Sequence, residues 1–399
     1  MTSLPRPRRA AVAAVVAVLL LGMCLRAPVT AVGPLIDRIG ADTGLGPTAL
    51  GLLGALPVLG FGVGSVLAHR PAVRFGLERV IAVALLALAA ALVVRSLPVP
   101  GALWLGTAVI GLAIAAGNVL APAVVKRDQP HRIALVTACF TAVMTTTAAV
   151  ASGIAVPVSD AWGGGWRQPL AGFAVVVGVV AVIWGVRAVR AGPATAPDPP
   201  AAVSAGPPAV TMWRSRSAWL VSLFMGLQSA SFYILVNWLP TIEASLGLDL
   251  RTAGWHLFVY QVVGMLSGFG VTVLMRRRTD LRGLGVAVGL CMTVAMVGLL
   301  LAPGIAVVWV VLAAVASGSS LVLALSLFGL RTAHARETAQ LSSMAQAIGY
   351  VVAACGPLVA GWIGGTVAWE LVLVLTAVIA LAQAVVALGA GRPGLVLDR

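Results

Sequence analysis

The sequence predicts an all-α integral membrane protein with twelve transmembrane helices in two related halves of six. Three observations support this fold class. The chain of 399 residues is 60% hydrophobic and only 10% charged, whereas an ordinary soluble domain is about 25% charged. Apolar stretches long enough to cross a hydrocarbon core of roughly 30 Å recur from end to end. The basic residues between these stretches cluster in alternate connections. Lipid is therefore the solvent that suits the chain.

The apolar stretches are predicted to be helices because a segment in lipid must satisfy its own backbone hydrogen bonds. A closed β-barrel would need alternating polar and apolar residues, which these stretches lack. The first stretch follows Arg8 and Arg9 but is too long for the apolar region of a signal peptide, so it is predicted to be a span. Only Pro303 and Gly304 divide the ninth span from the tenth. The predicted spans are 10–35, 47–68, 79–97, 103–125, 133–157, 169–189, 218–240, 252–275, 283–302, 305–330, 340–363 and 368–390.

The basic residues predict the orientation of the chain. Cytoplasmic connections of membrane proteins are enriched in Lys and Arg. If the N-terminus is cytoplasmic, 21 of the 26 basic residues fall on the cytoplasmic side and Arg26 lies within a span. The other four, on the outside, are Arg38, Arg95, Arg167 and Arg251. We therefore expect a multi-pass protein of the bacterial inner membrane with both termini in the cytoplasm.

A linker and an internal repeat divide the predicted fold. The region 191–212 is rich in Pro, Ala and Gly, which is typical of a flexible connection. Two basic clusters recur at an offset of about 205 residues, and GGGW ending at Trp166 recurs as GGTVAW ending at Trp369 at nearly the same offset. These repeats predict a duplicated six-span unit. The predicted domains are 1–190, a cytoplasmic linker over 191–216, and 217–399.

Several stretches carry a more specific pattern. They are LRAPVTAVGPLIDRI (25–39), GLLGALPVLGFG (51–62), RFGLERV (74–80), GNVLAPAVVKRD (117–128), LFMGLQSASFYILVNWLP (223–240) and LSSMAQAIGYVVAACGPL (341–358). Through these stretches nearly the whole chain resembles the cyanate and 2-nitroimidazole permease family of the major facilitator superfamily. The resemblance implies two parallel helical repeats with the substrate site at the membrane midplane between them.

The connection between the second and third spans resembles the loop motif of that superfamily. Arg74, Gly76 and Arg79 keep its basic pattern, but Val73 stands where the motif usually has Asp. The resemblance thus implies a basic loop here, but Val73 cannot supply the contact that the Asp of the motif usually makes with a neighbouring helix.

Arg26 is the sharpest candidate for a functional residue. It lies about 24 Å along the first span from residue 10, at 1.5 Å per residue. A cation within a membrane is costly unless it faces a polar cavity or a partner. All Asp and Glu residues are placed at span ends or in loops, so no carboxylate is expected beside Arg26. Arg26 is predicted to bind an anionic or electron-rich solute, the alternative being a bond to backbone carbonyls or to the interface.

Further polar residues within the spans are candidates for the same site. Gln228 follows Arg26 by about one repeat, but Gln228 and Asn237 face nearly opposite sides of an ideal helix. Asn118 serves equally well as a contact between helices beside Pro122. The threonines at 137, 141 and 145 are expected to be packing residues. With Arg26, the predicted substrate-binding residues are Asn118, Gln228, Tyr233, Asn237, Tyr260, Gln261, Gln346 and Tyr350.

His256 is the candidate for proton coupling, because imidazole changes charge near neutral pH. It lies close to the end of the eighth span, so a residue at the membrane interface is the alternative. With no carboxylate expected inside a span, facilitated diffusion, anion exchange and coupling through the substrate's own proton also remain open.

The sequence therefore predicts a secondary active or facilitative transporter of a small anionic or electron-rich solute. The resemblance implies a cyanate-like or nitroimidazole-like solute that crosses by alternating access. Alternatives are multidrug-type efflux of small organic compounds and, less favoured, an integral membrane enzyme or a solute sensor. The enzyme is disfavoured because the chain has only four His, three of them in separate loops.

The predicted partners are a small-molecule solute and the lipid bilayer, with no nucleic acid. A monomer is expected. The sequence predicts no catalytic residue, no metal site and no cofactor, since it contains neither a phosphate-binding GxxxxGK[ST] motif nor clustered metal ligands.

Overall fold

The computed structural model describes residues 8–129, 132–190, 210–275, 278–333 and 335–397, and the regular elements within them are helices. The first part contains α1 (Arg8–Cys24), α2 (Ala27–Thr30), α3 (Ile36–Thr43), α4 (Pro47–Phe75), α5 (Leu77–Arg95), α6 (Ala102–Asp128), α7 (Ile133–Ala161) and α8 (Arg167–Arg190). The second part contains α9 (Val210–Trp213), α10 (Arg216–Ser245), α11 (Leu250–Met275), α12 (Arg282–Leu301), α13 (Ala306–Leu330), α14 (Ala335–Thr366) and α15 (Glu370–Ala390).

Twelve helical segments of the described chain are long and apolar enough to cross a membrane. This confirms the predicted fold class, and the segments agree with the predicted spans to within a few residues at most ends. The ninth and tenth spans are separated by a short 3-10 turn, Pro303–Ile305, as expected from Pro303. The seventh span was predicted to end at 240, but α10 continues to Ser245 and brings Glu243 into a membrane-length helix. Glu243 thus still lies at a span end, two residues before the last residue of α10, and its side chain is fully buried.

The first span is a broken helix. α1 ends at Cys24, and Arg26 adopts φ −127° and ψ −39° before the single turn of α2 begins. Pro28 lacks an N–H to bond the carbonyl of Cys24, and its ring crowds that carbonyl. Pro34 repeats the interruption at a 3-10 turn, Gly33–Leu35, before α3. The span therefore exposes backbone polar groups beside Arg26, which lipid does not permit unless protein or a cavity faces them.

The predicted linker is described only in part. Residues 191–209 lie outside the described residues, as do residues 1–7, so the domain boundaries stay a prediction. Within 210–216, Val210–Trp213 form one helical turn, and the Ser215 side chain accepts a hydrogen bond from the Ala218 N–H at the start of α10. The last residues of the predicted linker are thus ordered against the second half of the chain.

A network of four charges holds together the ends of α5, α6 and α8. The Arg127 guanidinium contacts the buried carboxylate of Glu78 and lies 2.9 Å from Asp128. Arg187 lies 2.8 Å from Asp128 and 3.8 Å from Glu78. The loop motif has Val73 in place of its usual Asp, but Glu78, five residues further along at the start of α5, supplies a carboxylate to neighbouring helices. Sequence reasoning did not foresee this network.

Gly76 is the sharp turn between α4 and α5, with φ +90° and ψ 154°. This region of backbone conformation is essentially restricted to glycine. We expect Gly76→Ala to lower the free energy of unfolding by about 1–3 kcal/mol, seen as a lower melting temperature of the purified protein. The matched control is Gly283→Ala in the first turn of α12, where a Cβ meets open space and φ is not positive. An unchanged melting temperature for Gly76→Ala would contradict the account of this turn.

The two halves meet closely at one side of the membrane. We call the side where α1, α7 and α10 begin the N-terminal side, and the opposite one the far side. On the far side, a Cβ at Gly51 of α4 would lie 2.5 Å from the Pro357 carbonyl oxygen of α14, and the backbone of Gly33 touches that of Val236. Glycine permits these approaches because it has no Cβ. The far side is therefore sealed by contact between the halves.

Candidate functional site

A cavity of about 960 Å³ lies between the halves. It extends from the middle of the membrane-length helices towards the N-terminal side. Its wall is formed by the break after α1 and by α4, α6, α7, α10, α11, α13 and α14. Thr137 and Thr141 of α7 are exposed in it, whereas Thr145, one turn deeper, is buried. These threonines, expected to be packing residues, thus line the cavity. The gradient of exposure shows that the cavity opens on the N-terminal side.

Arg26 projects into this cavity from the break in the first span. It is half-buried, and its guanidinium carbon lies 4.8 Å from the centre of the Phe232 ring. No residue that the structure describes forms an ion pair or a hydrogen bond with the Arg26 side chain. An aromatic face stabilises a cation by about 0.5–2 kcal/mol. Because this contact uses the face of the guanidinium, the N–H groups at its edge stay available to an acceptor.

Aromatic rings surround the cation. Phe232 stacks on Tyr260 with the centroids 6.1 Å apart and meets Tyr233 edge-on at 5.1 Å. Across the cavity, Tyr350 of α14 meets Phe61 of α4 edge-on at 6.1 Å. The three Tyr residues of the chain thus all line the cavity. Such walls suit a flat or polarisable solute, since aromatic pairs gain about 0.5–1.5 kcal/mol beyond their buried area.

Amide side chains supply polar groups in the wall. Gln228 Nε2 lies 2.6 Å from Ser229 Oγ, so this amide is oriented by its neighbour. Gln261 Nε2 of α11 donates to Ser152 Oγ of α7 at 2.8 Å and thereby links the two halves. Asn118 of α6 is exposed in the cavity. These three amides can orient a solute that has its own hydrogen-bonding groups.

The structure brings most of the predicted site residues together but not all. Those that line the cavity are Arg26, Asn118, Gln228, Tyr233, Tyr260, Gln261 and Tyr350.

Asn237, Gln346 and His256 lie outside the cavity. α10 is continuous from Arg216 to Ser245, so Asn237 and Gln228 face different sides of it. Gln346 donates to Ser342 Oγ of its own helix at 2.8 Å, while Tyr350, one turn away, reaches the cavity. The loop residues Arg74, Gly76 and Arg79 lie at the α4–α5 turn and do not line the cavity.

His256 pairs with a carboxylate instead. Its Nδ1 lies 2.9 Å and 3.0 Å from the two carboxylate oxygens of Glu243, and the Glu243 side chain is fully buried. Both residues lie near the far side, on α11 and α10. Sequence reasoning missed this pair because the predicted seventh span stopped before Glu243.

Polar contacts between the halves surround the far end of the cavity. Thr241 of α10 donates to Asp37 of α3 at 3.0 Å. Arg251 of α11 lies 3.3 Å from Asp160 of α7, which also binds Arg38 at 2.6 Å. These exposed ion pairs add little individually. Together with the glycine contacts of α4 and α14 they mark the far side as the closed side.

Sequence reasoning also missed Phe232 and Arg95. Phe232 was passed over because a lone aromatic residue in an apolar helix carries no polar signal. Arg95 was assigned to the outside by its place at the end of a span, but only 2% of its surface is exposed. Arg95 Nη1 donates to the Pro28 carbonyl at 3.1 Å. Nothing in the sequence indicates that these two residues lie close together in space.

Comparison with known proteins agrees with this architecture. The model of the Major Facilitator Superfamily matches residues 18–354. The chain is 36% identical to the 2-nitroimidazole transporter of Escherichia coli, over 94% of each protein. It is 25% identical to the cyanate transport protein CynX of the same organism, over 86% of this chain and 87% of that one.

A solved structure supports the fold independently of close sequence similarity. A bacterial homolog of the human lysosomal transporter Spinster, in an inward-facing and unoccupied conformation, superposes with a TM-score of 0.79. The superposition covers 96% of this chain and 98% of the homolog's chain, at 14% sequence identity. Because this identity is low, the similarity supports the fold alone. The matched model, the relatives and the twelve helices of the described chain together confirm the predicted superfamily, and the family and the relatives are transporters rather than enzymes, as predicted. The chain belongs to the Major Facilitator Superfamily and is a membrane transporter, related to the 2-nitroimidazole and cyanate transporters.

Proposed function

We propose that this transporter carries a small anionic or electron-rich solute, cyanate-like or nitroimidazole-like, that binds at Arg26. The observation that carries the proposal is an intramembrane guanidinium without an ion-pair partner among the described residues, set in the cavity between the halves. A charge-assisted hydrogen bond to such a group is worth about 1.5–3 kcal/mol. The solute's oxygen or nitrogen acceptor would supply the partner that the protein does not.

The cavity favours the larger of the two solute types. Its volume of about 960 Å³ and its Tyr and Phe walls exceed what a linear three-atom anion can fill. A compact nitro-substituted ring could place its nitro oxygens on Arg26 and its ring against Phe232 and Tyr260. The relation to the 2-nitroimidazole transporter supports the same choice. The size of the cavity also supports a second function, the efflux of small organic compounds.

Alternating access follows from the two sides of the cavity. We place both termini in the cytoplasm of a bacterial cell, on the basis of the basic connections, with the protein in the inner membrane. The N-terminal side is then the cytoplasmic side, and the described state is inward-open. Transport requires the far side to open as the N-terminal side closes, by rocking of the halves about the bound solute.

A solute panel in liposomes tests the proposal. Uptake of labelled 2-nitroimidazole, cyanate and nitrite would be followed in parallel with a set of larger organic cations. We expect 2-nitroimidazole to move fastest and to compete with the two anions. Transport of the organic cations alone would overturn the proposal in favour of efflux.

Proton coupling through His256 is a further part of the proposal. The imidazole of His256 contacts the Glu243 carboxylate at 2.9 Å, and paired carboxylate and His side chains are common elements of the proton relays of transporters. We expect a pH gradient to stimulate uptake, and His256→Gln to remove that stimulation while leaving uptake without a gradient within about twofold, a change of under 0.5 kcal/mol. Equal stimulation in His256→Gln would show that the coupling lies elsewhere.

A further inference from the structure

A second, smaller cavity lies between the helices closer to the far side of the transporter than Arg26 does. Its volume is about 20 Å³, which is room for a single water-sized molecule or ion. It lies between the two halves, with Arg95 of α5 and Thr107 of α6 on one side and Asn237 of α10 on the other. The single turn of α2 lies beside it, since Val29 lines the cavity and the Pro28 carbonyl accepts a hydrogen bond from Arg95.

Arg95 enters this cavity with most of its hydrogen bonds unmade. Its Nη1 donates to the Pro28 carbonyl at 3.1 Å, but Nε and Nη2 are buried and have no partner in the described structure. No ion pair with a described carboxylate neutralises it, and none of the residues that line the cavity is acidic. A buried, unpaired guanidinium costs several kcal/mol, so a counter-charge at this place would stabilise the fold.

A second unsatisfied N–H donor, on Asn237, lines the same cavity. Asn237, 7% exposed, has its Nδ2 buried and without a partner. Thr107 donates its hydroxyl proton to the Leu103 carbonyl at 2.7 Å, so it offers the cavity an acceptor oxygen and no donor. A water molecule could accept from these N–H groups and donate to Thr107 Oγ1, but it would leave the charge of Arg95 unbalanced. A halide-sized anion accepts from all the donors and cancels the charge of Arg95.

We propose that Arg95 and Asn237 form a second anion site that holds one small monovalent anion of halide size. Because Arg95 belongs to the first half and Asn237 to the second, the anion bridges the halves on the closed far side. Opening that side would separate the two residues and release it. The bound anion therefore stabilises the conformation in which the large cavity opens on the N-terminal side. This site does not depend on the proposed solute, since halide binding is measured without transport.

Bromide is the probe. In crystals of the full chain grown in sodium bromide, we expect an anomalous peak between Arg95 and Asn237. The melting temperature should rise and saturate with bromide or chloride relative to gluconate. We call this rise in melting temperature the halide increment. In Asn237→Asp the new carboxylate takes the place of the anion beside Arg95, so the protein should still fold but the halide increment should vanish. Arg95→Gln should also lose the halide increment.

Arg282→Ala is the matched control, because it removes an exposed Arg that lines neither cavity and pairs with Asp280 at 2.6 Å, and it should keep the full rise of the melting temperature with halide. An ordered water without anomalous signal at the small cavity would overturn the proposal. So would a halide increment in Asn237→Asp equal to that of the parent protein, which would assign the effect to another place on the protein.

Discussion

Arg26→Ala should lower the uptake of 2-nitroimidazole by about 10- to 100-fold. The change removes the charge-assisted hydrogen bonds to the solute, worth about 1.5–3 kcal/mol, and each 1.4 kcal/mol is a factor of ten. Initial rates of uptake into liposomes at several solute concentrations measure the effect. Because Arg26 has no ion-pair partner among the described residues, its removal leaves no carboxylate unpaired there, and the protein should still fold.

Two further variants sharpen this result. Arg26→Lys keeps the charge but loses the planar guanidinium that lies 4.8 Å from the Phe232 ring. Its uptake rate should therefore lie between that of the parent protein and that of Arg26→Ala. Arg282→Ala is the control, since it removes an exposed Arg whose pair with Asp280, at 2.6 Å, contributes little to stability. Uptake by Arg26→Ala equal to that of Arg282→Ala would make Arg26 a structural residue.

Gly51→Leu should open the far side of the transporter. In the described state the new side chain would meet the Pro357 carbonyl oxygen, 2.5 Å from the ideal Cβ, and the Leu358 backbone. Overpacking of this kind costs about 1–3 kcal/mol, and the cost is relieved when α4 and α14 separate. The ratio of outward-open to inward-open protein should therefore rise by roughly 5- to 150-fold.

Spin labels at Thr48 and Thr366 measure this shift. Both residues are exposed at the far-side ends of α4 and α14, and the native cysteines would first be replaced. The distance distribution between the labels should move to longer values in Gly51→Leu, and less in Gly51→Ala. Gly185→Leu, where a Cβ meets open space on α8, should leave it unchanged. An unchanged distribution in a folded Gly51→Leu protein would contradict the assignment of the closed side.

Much of the fold could be predicted from the sequence because lipid imposes long apolar helices. Twenty-residue apolar stretches gave the number of spans and most of their ends. The extension of α10 to Ser245 was missed because Glu243 looks like the end of a span until His256 of another helix is known to contact it. The charge network around Glu78 was missed for the same reason, since Arg127 and Arg187 belong to helices distant in sequence.

The candidate site was predicted in part. Arg26 and Tyr350 stand out because a cation and a phenol are rare within apolar spans, and both line the cavity. Helical periodicity placed Gln228 and Asn237 on different faces but could not tell which face meets the cavity. Arg95 shows the opposite failure. Its position at a span end predicts an exposed residue, whereas the broken first span folds its Pro28 carbonyl onto Arg95 and buries it.

Direct binding is the most immediate test of the central claim that a solute binds at Arg26. Isothermal titration of 2-nitroimidazole and of cyanate into the purified protein and into Arg26→Gln isolates the binding step from transport. The account predicts an affinity at least about tenfold weaker for Arg26→Gln, from the loss of about 1.4 kcal/mol or more. Equal affinities in two folded proteins would show that the solute does not use Arg26 and would contradict the account.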